Sequence, residues 1–451
     1  MEEKIYLRWY NKIGYGSGDI AGNVVYALLS TFVMIYLTDT VGLNAGVVGT
    51  LMLFSKLFDG VSDIFFGSMI DKTRTRMGQA RPWMLWGYFG CAITLAAVFA
   101  IPVNLGDFAK YAWFFISYTL LNAVFYTANN IAYSALTALI TRNGSERVQM
   151  GSIRFIFAFA TSMLIQAVTV GFVNAMGGGA AGWRTVAIIY AVIGLAVNSL
   201  SVLSVKELPP EELAADANTA PEERYSFLET MKTLVKNRYY LIICCVYILT
   251  QLYTATLNMG LYFMTYVLLN ENLLGVFSMA INIPLICGLL LTPMIVKKMN
   301  GMYKINLAGY TAAAAARGLV LVSAYLHNLP LMLFFSGVAA LGMSPLQGDL
   351  NALIASCSEY TFLTEHKRMD GTLYSCTSLG VKIGGGIGVA LSGWLLEASG
   401  YIPNAANQPD SCIQMLYFMY LWLPMIINLV IAFLLSKLKV EQANLQLQVK
   451  T

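Results

Sequence analysis

Charged side chains are scarce in this chain of 451 residues. Only 12% of its residues are Asp, Glu, Lys or Arg, whereas soluble domains carry about 25%. Hydrophobic residues make up 57%, and the mean hydropathy is +0.63. These values predict an integral membrane protein. The net charge of +4 is spread over many segments, so it does not indicate a nucleic-acid partner.

Residue types used in catalysis and metal binding are equally sparse. The chain has two histidines, His327 and His366, and seven cysteines without metal-ligand spacing or a paired framework. The sequence shows no Ser/His/Asp, phosphate or metal motif, so neither an enzyme nor a cofactor is expected. The start, MEEKIYLRWYNK, is polar and acidic, so no cleavable signal peptide is expected.

Long apolar runs, in contrast, recur along the whole chain. A bilayer core needs about 20 apolar residues per helix. Runs of that length predict an all-α membrane protein with twelve transmembrane helices, near 15–38, 46–70, 82–103, 110–140, 149–175, 183–205, 238–268, 272–296, 304–326, 330–357, 371–399 and 412–436.

One long polar stretch, KELPPEELAADANTAPEER, lies between predicted helices six and seven. Its Pro, Ala and acidic residues are typical of a flexible connector with a short helix. We therefore predict an N-terminal six-helix half (1–205), a cytoplasmic central loop (206–237), a C-terminal six-helix half (238–436) and a cytoplasmic tail (437–451). This is the layout of major facilitator transporters, whose substrate sites lie near the bilayer midplane between repeats.

The basic residues predict the orientation. Of the 28 Lys and Arg residues, 22 lie at the two ends of the chain or in the loops that follow even-numbered helices, and two lie in the opposite loops. Cytoplasmic loops carry such an excess of Lys and Arg. We expect a multi-pass protein of the inner membrane with both termini in the cytoplasm. The four remaining basic residues, Lys56, Arg154, Arg317 and Lys382, lie within predicted spans.

Two acids in the second predicted span, FSKLFDGVSDIFFG, are four residues apart. Asp59 and Asp63 therefore lie on one face of a helix, about 6 Å apart at Cβ. Two carboxylates this close repel each other in a low dielectric unless one is protonated or a cation joins them. The pair predicts a site for Na⁺ or a proton, since hard cations prefer oxygen ligands. The alternative is a structural pair neutralised by Lys56.

Other polar residues within the predicted spans are suited to a sugar. Asp19 and Asn23 share one face of helix one, and Lys382 lies in a glycine-rich helix, LGVKIGGGIGVALSGWLL. In helix four, FYTANNIAYSAL places amides and hydroxyls beside aromatic rings, namely Tyr126, Thr127, Asn129, Asn130 and Tyr133. These groups either bind sugar hydroxyls or join helices to one another. Lys382 is a sugar donor, a counter-ion for the acid pair, or a side chain reaching the interface.

Four further charged residues lie within or near the predicted spans. Arg154 and Glu359 lie near the predicted cytoplasmic face, where salt bridges between the halves could open and close. Arg317 either reaches outward on a peripheral helix, which we favour, or binds an acidic substrate. Asp349 has no assigned role. We also expect the segments 71–81 and 142–154 to latch the cytoplasmic side.

The segment DTVGLNAGVVGTLMLFSKLFDGVSDIFFGSMIDKTRTRMGQARPWMLWG resembles the glycoside–pentoside–hexuronide:cation symporter family, and the resemblance extends along the whole chain through GSERVQMGSIRF and GYIPNAANQ. It implies a major facilitator fold and symport of a sugar with Na⁺, Li⁺ or H⁺. It also implies that Asp59, Asp63 and Thr127 bind the cation and that Lys56 and Lys382 match the family's basic residues. Asn23 and Asn130 replace aspartates of its α-galactoside carriers, so the sugar is not specified.

From these residues we predict a sodium- or proton-coupled sugar symporter that acts as a monomer. The substrate-binding residues are Asp19, Asn23, Tyr126, Asn130 and Lys382, and the charge-coupling residues are Lys56 and Arg154. Three alternatives stay open. One is a cation-coupled lysolipid carrier of the same fold, a second is a proton-coupled carrier of another solute, and a third, from a different class, is a multispan enzyme or receptor.

Overall fold

The protein is described by a computed structural model covering residues 5–141, 143–209, 235–299, 301–365, 370–405 and 407–448. Most of the predicted central loop, Arg142 and His366 lie outside these ranges. The described chain is helical apart from turns and one isolated β-bridge between Thr75 and Gly78. The prediction of an all-α protein is confirmed.

Eight helices precede the central loop. The helix α2 continues into a π-helical turn at Tyr36–Thr40, and a second π-helical segment, Leu120–Tyr126, joins α5 to α6. The eight are α1 (Trp9–Gly16), α2 (Gly18–Ile35), α3 (Ala45–Lys72), α4 (Arg81–Val98), α5 (Asp107–Thr119), α6 (Thr127–Ile140), α7 (Gly144–Ala175) and α8 (Gly179–Ser204).

The helices that follow the central loop also include two π-helical turns, Phe263–Val267 and Phe418–Trp422. The bounds are α9 (Arg238–Asn258), the single turn α10 (Gly260–Tyr262), α11 (Leu273–Met299), α12 (Tyr303–Tyr325), α13 (Leu329–Glu365), α14 (Asp370–Ala398), α15 (Asp410–Tyr417), α16 (Leu423–Lys437) and α17 (Val440–Gln448).

Nine helical stretches in the described ranges are long and apolar enough to cross a membrane. The predicted spans near 82–103, 110–140 and 371–399 each contain a long helical segment, and the first of these ends at Val98, but none is among these nine. The multi-pass prediction is thus supported, and the count of twelve stays a prediction.

The chain forms two compact units. The first contains Met1–Thr219 together with Met264–Gly275 and Gly393–Cys412. Its core around α1, α4, α6 and α8 includes Tyr15 and Tyr133, and their rings lie 4.8 Å apart. By their contacts, two short segments from the second half of the sequence are therefore grouped in one unit with the first six predicted helices.

The second unit contains Ala220–Phe263, Val276–Ser392 and Ile413–Thr451. Its core combines residues of α9, α12, α13 and α16, including Tyr310 and Ile431. The helices α12 and α13 approach closely where Gly309 meets Gly342. Only glycine fits at this crossing, because a Cβ on Gly309 would lie 2.2 Å from the carbonyl oxygen of Gly342. Small residues at such crossings are typical of helix packing in membranes.

Each unit contains a glutamate whose carboxylate binds the N-terminus of another helix. Glu207, just after α8, accepts hydrogen bonds from the backbone N–H groups of Gln79, Ala80 and Arg81 at 2.6, 2.9 and 3.0 Å. Glu441 in α17 likewise accepts from the N–H groups ahead of and at the start of α12. The first turn of a helix leaves N–H groups without partners in the helix itself, and a carboxylate there also stabilises the helix dipole.

Candidate functional site

An ion pair connects the start of α2 with α7. The Nε of Arg154 lies 2.6 Å from Oδ2 of Asp19, and the two side chains are 22% and 17% exposed. Asp19 is in the first turn of α2, where the helix dipole also stabilises its negative charge. A half-buried pair of this kind is strongly held, since removal of one partner leaves the other charge uncompensated.

Two tyrosine rings enclose this ion pair. The hydroxyl of Tyr133 donates to Oδ2 of Asp19 at 3.0 Å, and the guanidinium carbon of Arg154 lies 4.0 Å from the centroid of the same ring. A cation over a ring face gains electrostatic attraction. The ring fits here because Gly18 has no side chain: a Cβ would lie 2.8 Å from Tyr133. The second ring is Tyr15, whose hydroxyl is 3.4 Å from Arg154.

The ion pair opens onto a cavity of about 270 Å³. Asp19 and Arg154 supply its charged groups, and Gly151, Phe155 and Ala158 supply a small or apolar wall. Small-molecule sites combine an apolar lining with a few polar groups in this way, and their volumes begin at about 300 Å³. The cavity therefore has the composition expected for a small polar ligand with an apolar face.

A second buried polar contact joins α3 to α6. The hydroxyl of Thr127 contacts Oδ1 of Asp59 and lies 2.8 Å from the carbonyl oxygen of Asn122. Asp59 and Thr127 are 7% and 3% exposed. Two of the three residues predicted to bind the cation are therefore in contact. All of the oxygens gathered here, from a carboxylate, a hydroxyl and a carbonyl, are suitable ligands for a hard cation.

The other two charged residues of this segment lie on the same helix. Asp63 and Lys56 are half-buried on α3, one turn after and nearly one turn before Asp59. The helix places the two acids on one face, as their spacing predicts. Cation binding by Asp59 and Asp63 stays a prediction.

Two of the three uncharged residues predicted to bind substrate, Asn23 and Tyr126, lie close to the first turns of α2. The side-chain amide of Asn23 donates to the backbone carbonyl of Asp19 at 2.9 Å. The hydroxyl of Tyr126 lies 3.9 Å from where a Cβ on Gly22 would be, which brings α2 and the end of the π segment together. Asn130, one turn after Tyr126, is exposed.

Asn129 has a structural role instead. Its amide nitrogen lies 2.6 Å from the carbonyl oxygen of Met84 and 3.1 Å from Oδ1 of Asn198, so it joins α6 to α4 and α8. Such interhelical hydrogen bonds are the alternative that we considered for this polar run. Lys382 lies half-buried on α14 in the second unit, and its role as sugar donor or counter-ion stays a prediction.

The structure gives partners for three further charged residues and contradicts one expectation. Arg154 pairs with Asp19 in the first six helices. Glu359 accepts a hydrogen bond from Gln448 at 2.6 Å on an exposed surface, and a salt bridge between the halves by either residue stays a prediction. Arg317 does not reach outward: it is 1% exposed, and its guanidinium contacts the Tyr253 hydroxyl inside the second unit. Helix packing, which sequence spacing does not specify, decided each of these partners.

The structure also gives contacts for Asp349 and for the expected latching segment 71–81. The segment before α4 is held by the carboxylate of Glu207. Asp349 lies in the second unit with a contact of 3.5 Å to the amide of Asn306. Tyr15 was missed as a site residue, although it stands only four residues before Asp19 in YGSGDI.

The family model described as "MFS/sugar transport protein" matches residues 14–442. The isoprimeverose transporter of Lactiplantibacillus pentosus is 27% identical over 424 residues, covering 93% of this chain and 86% of that protein. The glucuronide carrier protein homolog of Escherichia coli (strain K12) is 27% identical over 417 residues, covering 90% and 87%.

A solved bacterial homologue of the human lysosomal transporter Spinster superposes with a TM-score of 0.68 at 13% sequence identity, covering 97% of each chain. This likeness confirms the major facilitator fold.

Proposed function

Because this chain belongs to the MFS/sugar transport protein family, we propose that it couples the entry of Na⁺ or H⁺ to the uptake of a glycoside, pentoside or hexuronide by alternating access. The two relatives described above are named for isoprimeverose and for glucuronide, both sugar derivatives. Their coverage of nearly the whole chain supports a substrate of this class.

The observation that carries the proposal is the ion pair of Asp19 and Arg154 at the cavity. Its carboxylate accepts hydrogen bonds and its guanidinium donates them, so a molecule with vicinal hydroxyls can bind both. The ring of Phe155 on the same cavity wall offers an apolar surface for the face of a sugar ring.

The cation site explains how transport is driven. A cation bound by Asp59, Asp63 and Thr127 relieves the repulsion between the two carboxylates. The carrier then changes conformation when both cation and sugar are bound, or when neither is, and the half-loaded carrier is disfavoured. Lys56 and Lys382 are proposed to adjust their positions as the cation binds.

The proposed orientation follows from the basic loops. With 22 of 28 Lys and Arg residues on one side, both termini and the central loop are cytoplasmic and the protein lies in the inner membrane. The turn after Thr40 and the segment before α15 then face outward.

Uptake assays test this function. Right-side-out vesicles with the protein should exchange a labelled glycoside, pentoside or hexuronide and accumulate it only with an inward gradient of Na⁺ or H⁺. Competition by a panel of unlabelled sugars identifies the substrate. Lack of exchange with every sugar, together with uptake of a lysolipid, would support the lysolipid carrier instead.

A further inference from the structure

A second buried carboxylate, Asp39, lies at the opposite end of the first span from Asp19. Its Oδ1 accepts hydrogen bonds from the hydroxyls of Thr38, at 2.7 Å, and Tyr401, and its Oδ2 accepts from the hydroxyl of Tyr266. The two tyrosine hydroxyls lie 3.0 Å apart. Asn404 donates from its side chain to the backbone carbonyl of Asp39. All of these donors are neutral.

Matching backbone irregularities position the two main partners. Asp39 is the fourth residue of the π-helical turn Tyr36–Thr40, and Tyr266 is the fourth residue of the π-helical turn Phe263–Val267. Each turn ends a long apolar stretch, the first and the seventh predicted spans. A π-helical turn redirects side chains relative to an α-helix and is frequent at functional sites. Each half of the sequence therefore has a π-helical turn at the end of its first predicted span.

Further contacts beside Asp39 close the start of α3 against the end of α14. The side-chain amide of Asn44 donates to Oε1 of Glu397 at 2.8 Å, and the indole of Trp394 donates to the hydroxyl of Thr50 at 2.8 Å. A Cβ on Gly393 would lie only 2.5 Å from the carbonyl oxygen of Ala45. We call this set of contacts, centred on Asp39, Tyr266 and Tyr401, the outer seal. All of its residues belong to the first compact unit.

The partners of Asp39 are far away in sequence. Tyr266 is 227 and Tyr401 is 362 residues from it, in the seventh predicted span and in the segment before α15. An alternating-access carrier opens on one side at a time, so contacts between its first and last six helices on one side must break when that side opens. Hydroxyl donors on a carboxylate form strong bonds, and water can replace them once the contact is exposed.

We propose that Asp39 is a further residue of the transport cycle: the hydroxyls of Tyr266 and Tyr401 close on its carboxylate to keep the substrate site shut from the outside, and they part from it when the outer side opens. The inference rests on the proposed function for alternating access and for orientation. Asp39 touches neither the ion pair of Asp19 nor the predicted cation site, so it acts as a positioning residue.

Cysteine labelling tests the seal without any sugar. Ala45→Cys introduces a reporter at a position that is 4% exposed and adjacent to Gly393. Intact cells are treated with a membrane-impermeant maleimide, and peptide mass spectrometry measures labelling at position 45 separately from the native cysteines. The double variant Tyr266→Phe and Tyr401→Phe should label roughly tenfold faster, the change that loss of about one strong hydrogen bond produces.

Matched variants separate this effect from general destabilisation. Tyr190→Phe removes another buried hydroxyl of the first unit, which lies 3.0 Å from Thr169, and it should label at the parent rate. Asp39→Asn keeps the size of the side chain but presents a donor to the tyrosine hydroxyls, and it should label faster too. The single variant Tyr266→Phe provides the readout if the double variant does not fold.

The possible outcomes are distinct. Unchanged labelling in folded Asp39→Asn and Tyr266→Phe overturns the seal. Faster labelling from inside-out vesicles rather than from cells shows a seal on the other side, which overturns the proposed outer location. A carrier that transports no sugar but shows faster labelling contradicts the proposed substrate and leaves the seal supported.

Discussion

The Nε of Arg154 lies 2.6 Å from Oδ2 of Asp19, although 135 residues separate them in sequence. Each charge neutralises the other within a half-buried site, and the ring of Tyr133 holds both by a hydrogen bond and by stacking. The ion pair therefore presents one negative and one positive group but has no net charge. This arrangement lets a polyhydroxylated substrate bind an anion and a cation at once.

Replacement of Arg154 by lysine should weaken sugar binding. An ammonium group cannot present a planar donor fork to Asp19 while it lies flat over Tyr133, so Arg154→Lys is expected to reduce affinity about tenfold or more. Calorimetry with the purified protein and its transported sugar measures the change. Arg238→Lys is the control, since Arg238 stacks on Tyr239 outside this site. Native affinity in Arg154→Lys would contradict this role.

Loss of the Thr127 hydroxyl should affect the cation more than the sugar. Thr127→Val keeps the shape of the side chain but removes the hydroxyl that contacts Asp59. The cation concentration for half-maximal uptake should therefore rise on the order of tenfold. Thr127→Ser should retain near-native behaviour. Thr94→Val serves as control, because that buried hydroxyl bonds only to carbonyls of its own helix. Equal cation dependence in the valine and serine variants would exclude the role.

Glu146 should make the attachment of the N-terminal segment sensitive to acid. Burial raises the pKa of Glu146, but hydrogen bonds from Thr141, from the backbone of Leu7 and Tyr6, and from Lys12 lower it below the ordinary 4.5 overall. Because the pKa of Glu146 is lower in the folded state than in the unfolded state, the carboxylate stabilises the fold at pH values above the unfolded-state pKa. That stability is lost as the pH falls through the folded-state pKa.

Hydrogen exchange of the segment before α2 measures this effect. After correction for the intrinsic pH dependence of amide exchange, the protection factors of this segment should be high at neutral pH and should fall below about pH 4.5. Glu146→Gln should show lower protection factors at neutral pH, and these should depend little on pH. If the glutamine variant kept the parent's slow exchange and pH profile, the carboxylate would not hold this segment.

The two glutamates that bind helix N-termini should matter equally to stability. Glu207→Ala and Glu441→Ala each remove the acceptor for several backbone N–H groups, so each should lower the free energy of unfolding by about 1–2 kcal/mol. Thermal unfolding in detergent provides the measurement. Glu365→Ala is the control, since its surface ion pair with Lys236 is worth about 1 kcal/mol or less. A control that loses as much would show that the caps have no special role.

Local features of the sequence predicted much of the fold. Apolar runs required helices, because backbone groups in a bilayer must be hydrogen-bonded within the segment. The four-residue spacing of Asp59 and Asp63 placed both acids on one face of α3, as observed. The proximity of Thr127 to Asp59, which the family resemblance implied, is also present in the structure.

By itself, the sequence determined that the chain crosses a membrane through helices and that several charged residues lie within the predicted spans. Tertiary structure alone decided which charges meet. Arg154 pairs with Asp19, Asn129 joins helices, and Asp39 meets Tyr266 and Tyr401. The physical reason is that partners more than a hundred residues apart depend on how helices cross and turn. The periodicity of a single helix specifies which face a side chain occupies but not which other helix will cover it.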